Sequence, residues 1–257
     1  MQEHMKYCLI FKCNDKIRLP IQYNHILQAA ILGWIQDETY TSFLHDEGFQ
    51  REKRTFKLYS FSQIIGKNHI DRKSGKIVFD DKICIFISSY IDEMENYIKK
   101  SIEANRKLRF GNNELPLDEA YRVDEKYESC VVETLSPISI HSTFELPSGK
   151  KRTYYYTPSE EDFSNMIKDN LVRKYQAVHG DLPKDDTFEI IPVKGNSMEK
   201  QIIKYRGTVI IGWNGVFELK GSTDMIKMAL LAGVGARNSI GLGCLLQKNP
   251  VDENGEK

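Results

Sequence analysis

Gly233-Val234-Gly235-Ala236-Arg237-Asn238-Ser239-Ile240-Gly241-Leu242-Gly243 places four glycines in eleven residues between a helical pattern and a short β pattern. The order of these elements excludes two common glycine-rich folds. A dinucleotide fingerprint needs strand, glycines and then helix, with glycine at its sixth position, where this chain has Asn238. A P-loop needs four residues between its glycines and a Lys-Ser/Thr pair after the second, whereas Gly235 and Gly241 enclose five and Leu242-Gly243 follows. What remains is a loop whose bare backbone offers its N–H groups to a phosphate chain, with Arg237 as a charged contact. A tight structural turn is the other reading of the same glycines.

Outward from the loop, Asp224 to Ala232 reads as the helix before it and Cys244 to Gln247 as the strand after it. Thr208 to Leu219 and Thr187 to Val193 supply two earlier strands. Ahead of them, Thr157-Pro158-Ser159-Glu160 is a capping box that starts a helix at Pro158, with Phe163, Ile167, Leu171, Tyr175 and Val178 as its apolar stripe. Ser129 to Thr134 is a further strand, and Ile140 to Tyr156 an inserted hairpin. The first half has the same order. Lys6 to Lys12 reads as a strand buried on both faces, and Leu27, Ala30, Ile31, Trp34 and Ile35 mark a helix from near Asn24. Thr55 to Ile65 and Lys76 to Ser88 read as strands joined by a hairpin loop at Asp71 to Gly75. Ile91, Met94, Ile98 and Ile102 mark a second helix, and Leu115 to Val123 a last strand. Two successive β-α-β-β-α-β units predict an α+β chain of two tandem ferredoxin-like domains, residues 1–123 and 124–257.

Bulk properties narrow the function classes. The chain of 257 residues carries 36 Lys+Arg against 36 Asp+Glu, so a polyanion site must come from local clustering of charge. Five cysteines, an odd number, argue against a disulfide framework and for a reducing compartment, read as the cytoplasm. The apolar run after the N-terminus, Tyr7 to Phe11, is too short for a signal peptide or a membrane span. Cys8 and Cys13 lack a second ligand pair for zinc, and no metal site is expected.

The glycine loop before a last short strand resembles that of the repeat-associated RNA-binding superfamily of CRISPR systems, and specifically its endoribonucleases that mature precursor crRNA. Supporting matches are Leu19-Pro20-Ile21-Gln22-Tyr23-Asn24-His25-Ile26-Leu27-Gln28 leading into the first helix, Thr134-Leu135-Ser136-Pro137-Ile138 early in the second half, and Phe163 to Gly180. The resemblance implies tandem ferredoxin-like domains and cleavage within CRISPR repeat RNA that needs neither metal nor cofactor. It also implies a catalytic histidine soon after the first helix, which Phe43-Leu44-His45 matches. An imidazole that titrates near neutrality can both take and give a proton. His25 competes, with capping or packing as its other role. Family members often add a tyrosine on the first helix, where this chain has Leu32, and Tyr40 is the nearby substitute. Their basic residue after the histidine corresponds to Arg51-Glu52-Lys53-Arg54, with Lys53 the favoured member and Arg51 and Arg54 as RNA contacts.

For RNA binding the sequence offers Gly233, Gly235, Arg237, Asn238, Gly241 and Gly243, and also Lys150-Lys151-Arg152-Thr153-Tyr154-Tyr155-Tyr156. There cations can meet phosphates while rings stack on unpaired bases, and strand alternation puts Tyr154 and Tyr156 on one side and Tyr155 on the other. The expected reaction is in-line attack by the 2′-hydroxyl preceding the scissile phosphate, giving a 2′,3′-cyclic phosphate and a 5′-hydroxyl. The alternative is a repeat-binding subunit without turnover. Besides repeat RNA, the partners to consider are effector-complex subunits and a second copy of the chain, with no membrane.

Overall fold

The computed structural model describes residues 6–13, 15–110 and 113–248, with backbone alone for His45 and Asp46. In the first half, β1 (Lys6–Lys12), α1 (Asn24–Ile35), β2 (Tyr59–Phe61), β3 (Lys82–Ser89), α2 (Asp92–Glu103) and β4 (Leu117–Val123) form an antiparallel sheet in the order β4-β1-β3-β2. In the second, β5 (Cys130–Thr134), α3 (Glu161–His179), β6 (Phe188–Pro192), β7 (Val216–Gly221), α4 (Thr223–Ala232) and β8 (Leu245–Gln247) repeat it as β8-β5-β7-β6. In each sheet the first and third strands are neighbours and the two crossover helices cover one face. This is the ferredoxin-like arrangement, twice.

Alternation explains which face is covered. Tyr7, Leu9 and Phe11 are buried, whereas Cys8 and Ile10 are only half-buried, so the expectation of a strand buried on both faces is corrected. Leu27, Ile31, Trp34 and Ile35 on α1 close the first core from above. The second core is built around Val132, Phe163, Leu171, Phe217 and Leu230, and it also takes in Phe56, Leu58, Tyr90 and Ile91 from the first half. The two sheets are therefore joined through shared apolar packing. A buried Lys6 ammonium adds a polar tie, bonding both Glu125 and the Leu245 carbonyl.

Several strand expectations need redrawing. The loop Asp71 to Gly75 does join two antiparallel strands, Asn68–Asp71 and Lys76–Phe79, but these lie in a separate three-stranded sheet with Ile17–Pro20. The run Thr55 to Ile65 divides into Arg54–Phe56 and β2, and Thr208 to Leu219 into Thr208–Asn214 and β7. The first piece of the latter pairs with Glu199–Tyr205 as a long hairpin. Glu160 does reach back to the Thr157 amide, but α3 begins only at Glu161, one turn after the expected start at Pro158. The inserted hairpin is present as His141–Glu145 and Lys151–Tyr155. Among the described residues no helix is long and apolar enough to cross a membrane.

Candidate active site and nucleic-acid interface

The segment after α1 is held in an unusual backbone course. Gln36 takes a left-handed conformation (φ 53°), and Asp37 then caps a short helix, Glu38–Ser42, by accepting from the Tyr40 amide at 2.7 Å. Phe43–Glu47 forms one π-helical turn, closed by the Gly48 amide donating to the Phe43 carbonyl at 2.8 Å. Such turns recur at functional sites. Gly48 has φ 63°, and a Cβ there would lie 2.7 Å from the Phe56 carbonyl oxygen, so glycine is required where the chain folds back. His45 sits at the centre of this turn, next to buried Leu44. Its side chain lies outside the described residues.

Tyr40 packs its ring 5.1 Å from Tyr97, and burial followed by nearby Glu93 pushes its pKa above the usual tyrosine range. Its hydroxyl keeps its proton and can donate but not act as a base. Leu32, at the position matching the family's tyrosine, packs against the first core.

The chain then turns through the hairpin Phe49–Arg51 and Arg54–Phe56, with Glu52 at φ 53° and Lys53 exposed at its tip. Cross-strand pairing sets Arg51 beside Arg54, and the Arg51 Nε is buried without a hydrogen-bond partner. Arg54 reaches a pocket of about 330 Å³ between the two halves, whose wall also holds Arg237, His141 and Lys174. Among the described residues no Asp or Glu lines this pocket. Burial, then Arg237 and Arg54, hold the His141 pKa below its ordinary value, and its Nδ1 is buried without a partner.

The glycine loop corrects one expectation. Gly233, Gly235, Gly241 and Gly243 are all buried. A Cβ on Gly243 would lie 2.0 Å from the Val234 carbonyl oxygen, and one on Gly241 2.7 Å from the Phe61 ring. What demands glycine is close packing of the protein on itself. The Val234, Ala236, Gly241 and Gly243 amides donate to the carbonyls of Gly243, Ser139, Asn238 and Pro137, so these four are not available to a phosphate. Asn238 is buried too: its amide group donates to the Val234 and Leu242 carbonyls, and its Oδ1 accepts from Lys174 at 2.7 Å. Arg237, in the left-handed region (φ 63°), is the loop's half-buried cation at the pocket.

Lys174 was hidden in the helical stripe. The stripe continues through Ile167, Leu171 and Lys174, and the lysine, 3% exposed, replaces Tyr175 as the inward residue of its turn. Its ammonium donates to the Gly233 and Gly235 carbonyls at 2.7 and 3.2 Å besides Asn238, and burial lowers its pKa to about 7. A lysine at i+3 from a buried leucine is the signal that could have exposed it.

The other candidates are dispersed. Lys150, Lys151 and Arg152 are exposed on the inserted hairpin, where Tyr154 and Tyr156 share one side with rings 5.2 Å apart. Tyr155 faces the other way and packs beside Ile203 and Ile210, as alternation requires. His25 is exposed in the first turn of α1 and lines a separate hollow with Lys107, Arg109 and Arg206. It is Asn24 that bonds the Ile240 and Gly241 carbonyls. His179 accepts or donates a 3.0 Å hydrogen bond with the Tyr90 hydroxyl. Among the described residues, no group of three or more His, Cys, Asp or Glu side chains is placed to hold a metal ion.

Comparison with known proteins agrees with this architecture. Residues 119–246 match the family model described as CRISPR associated protein Cas6, C-terminal. A Methanocaldococcus jannaschii protein named CRISPR-associated endoribonuclease Cas6 1 is 28% identical over 100% of this chain and 98% of its own length. A Pyrococcus furiosus CRISPR-associated endoribonuclease Cas6 is 25% identical over 93% of this chain and 88% of its own. Among solved structures, a Cas6-related protein from Pyrococcus furiosus superposes with a TM-score of 0.79 at 22% identity, covering 98% of this chain and 100% of that one. A structure described as an RAMP protein binding different RNA substrates gives 0.77 at 23% identity, covering 96% and 100%. Two ferredoxin-like sheets in this order, with relatives matched along the whole chain, make the protein similar to the CRISPR-associated endoribonucleases named Cas6.

Proposed function

We propose that this protein is an endoribonuclease that binds CRISPR repeat RNA in precursor transcripts and cuts once in each repeat to release crRNA. The observation that carries the reading is the pocket in which Arg54 from one half and Arg237 from the other meet with no carboxylate among the described residues of the lining. Uncompensated cations around a cavity favour a phosphate, and this one adjoins the hairpin that follows the His45 turn. The division at residues 123 and 124 then gives the first domain the chemistry and the second the buried glycine loop that presents Arg237.

The nucleophile is the RNA's own 2′-hydroxyl. His45 acts as general acid/base, and Lys53, with Arg51 and Arg54, stabilises the growing charge on the scissile phosphate. Tyr40, which holds its proton, serves as a donor beside that turn. The products are a 2′,3′-cyclic phosphate and a 5′-hydroxyl, and the reaction draws on no metal or cofactor. Lys150, Lys151 and Arg152 extend the RNA path along the exposed hairpin. The protein works in the cytoplasm, and effector subunits or a second copy of the chain are the further partners to test.

The test is cleavage of end-labelled repeat RNA from the source organism's own array, in EDTA. The wild type should cut, His45→Ala should bind within severalfold but not cut, and a 2′-deoxyribose just upstream of the scissile phosphate should block cleavage at that bond. An active His45→Ala protein, or cleavage of the deoxy substrate, would overturn the mechanism. Repeat binding by a wild type that never cleaves would instead make it a non-catalytic repeat-binding subunit.

A further inference from the structure

A second cavity of about 880 Å³, within the range of about 300–1,000 Å³ usual for small-ligand sites, borders the same Phe49–Phe56 hairpin as the cationic pocket, through Phe49. It opens between the two halves. Tyr40, Phe43 and Phe49, which bracket His45 in sequence, form one wall, and Tyr90, Tyr175 and His179 belong to the other. Its chemistry is the reverse of the first pocket's. Among the described residues, Asp92, Glu93 and Asp224 line it against a single ammonium, that of Lys227, which lies 5.7 Å over the Tyr90 ring and 5.6 Å over the Tyr127 ring.

This charge distribution decides what can enter. Three carboxylates repel a phosphate, whereas aromatic walls favour a flat, uncharged group. In RNA that group is an unpaired base, which proteins recognise by stacking on rings and by hydrogen bonds to its edge. We infer that this cleft takes an unpaired guanine next to the scissile bond, stacked among its aromatic side chains and paired through its N1–H and N2–H₂ edge with a carboxylate, Asp224. The inference rests on the repeat-RNA reading above and adds a specificity site to it.

Guanine is chosen on donor geometry. Its N1–H and N2–H₂ point the same way and suit the two oxygens of one carboxylate. Adenine and cytosine offer only an amino group, and uracil one N–H between two carbonyls that a carboxylate repels. Asp224 lies close to Tyr175, whose pKa is raised by burial and then by the Asp224 carboxylate. Tyr175 is itself stacked by His179, whose ring centroid is 4.2 Å away, and His179 is fixed by its 3.0 Å bond with Tyr90. The wall is thus organised before any ligand arrives. The phosphate pocket and the base cleft border the same hairpin and succeed one another along α3, the first at Met166, Asn170 and Lys174 and the second at Tyr175, Val178 and His179, so one strand running along α3 can place a backbone phosphate in one and a base in the other.

The experiment measures fluorescence anisotropy of 2′-O-methyl pentamers, which cannot be cleaved: UUGUU, UUAUU, UUCUU, UUUUU and an inosine version of the first. The wild type should bind UUGUU about tenfold tighter than the A, C and U pentamers, with inosine intermediate because it keeps N1–H and loses the amino group. Asp224→Asn should flatten that ranking. Arg54→Ala, in the other pocket, should weaken all pentamers alike and keep the ranking. Tyr175→Leu, which removes a stacking face beside Asp224, should also flatten the ranking and covers a failure of Asp224→Asn to fold. Equal binding of all pentamers by the wild type, or a guanine preference that survives both cleft substitutions, would overturn the inference. Repeat cleavage run alongside separates two failures: cleavage without guanine preference removes the cleft alone, whereas absence of repeat binding removes the nuclease reading and the cleft with it.

Discussion

Lys174→Met should abolish a pH dependence of stability that the wild type owes to one buried ammonium. The ammonium ties α3 to the glycine loop through the Gly233 and Gly235 carbonyls and Asn238, without a carboxylate partner. Burial lowers its pKa to about 7, while an unfolded lysine titrates near ~10.4. Between those values the unfolded chain holds a proton that the folded chain has released, so wild-type stability rises with pH across this window and is level below it. The limiting slope is about 1.4 kcal/mol per pH unit, so between pH 7 and 9 the wild type should gain roughly 2–3 kcal/mol over the methionine variant. The three acceptors are each stranded in Lys174→Met at a cost of about 1 kcal/mol, which sets the variant's baseline deficit apart from its slope. Cys13 and Cys244, whose thiols burial pushes up to about 11, titrate in the opposite sense above pH ~8.5, and the difference between the two proteins cancels them. Urea midpoints at pH 6, 7, 8 and 9, with near-ultraviolet circular dichroism as a second probe, measure it. Parallel profiles would refute the reasoning, because they would mean that the three acceptors keep the ammonium charged throughout.

Two further outcomes test the loop and the cationic pocket. Gly241→Ala, at φ 82° with its new Cβ 2.7 Å from Phe61 and 3.0 Å from the Asn24 amide nitrogen, should cost about 1–3 kcal/mol in urea unfolding while leaving RNA affinity per folded molecule unchanged; unaltered stability would show that the loop yields. Arg54→Ala and Arg237→Ala should each lower the slope of log binding constant against log salt by about 0.7, the share of one phosphate contact on a single strand, and an unchanged slope in both would remove the pocket from the RNA path.

The sequence by itself determined the two ferredoxin-like units and the glycine loop's place between a helix and a strand. Those depend on local periodicity: Leu27, Ile31 and Trp34 recur at helical spacing, and Tyr7, Leu9 and Phe11 alternate, whatever they later touch. It also singled out the Arg51–Arg54 cluster, because charge density is a property of adjacent residues. Tertiary structure alone decided which of these residues act together. Arg54 and Arg237 are far apart in the chain and meet at one pocket only because Phe56 and Leu58 sink into the second half's core. The purpose of the glycines likewise depended on contacts at long range, since Phe61, Ser139 and Lys174 fill the space that a phosphate chain was expected to occupy. Strand breaks at Lys57–Leu58 and Gly215 were invisible for a related reason: β propensity runs on through both, while the partner strand changes. Local pattern fixes the elements, and long-range packing fixes which chemistry they bring face to face.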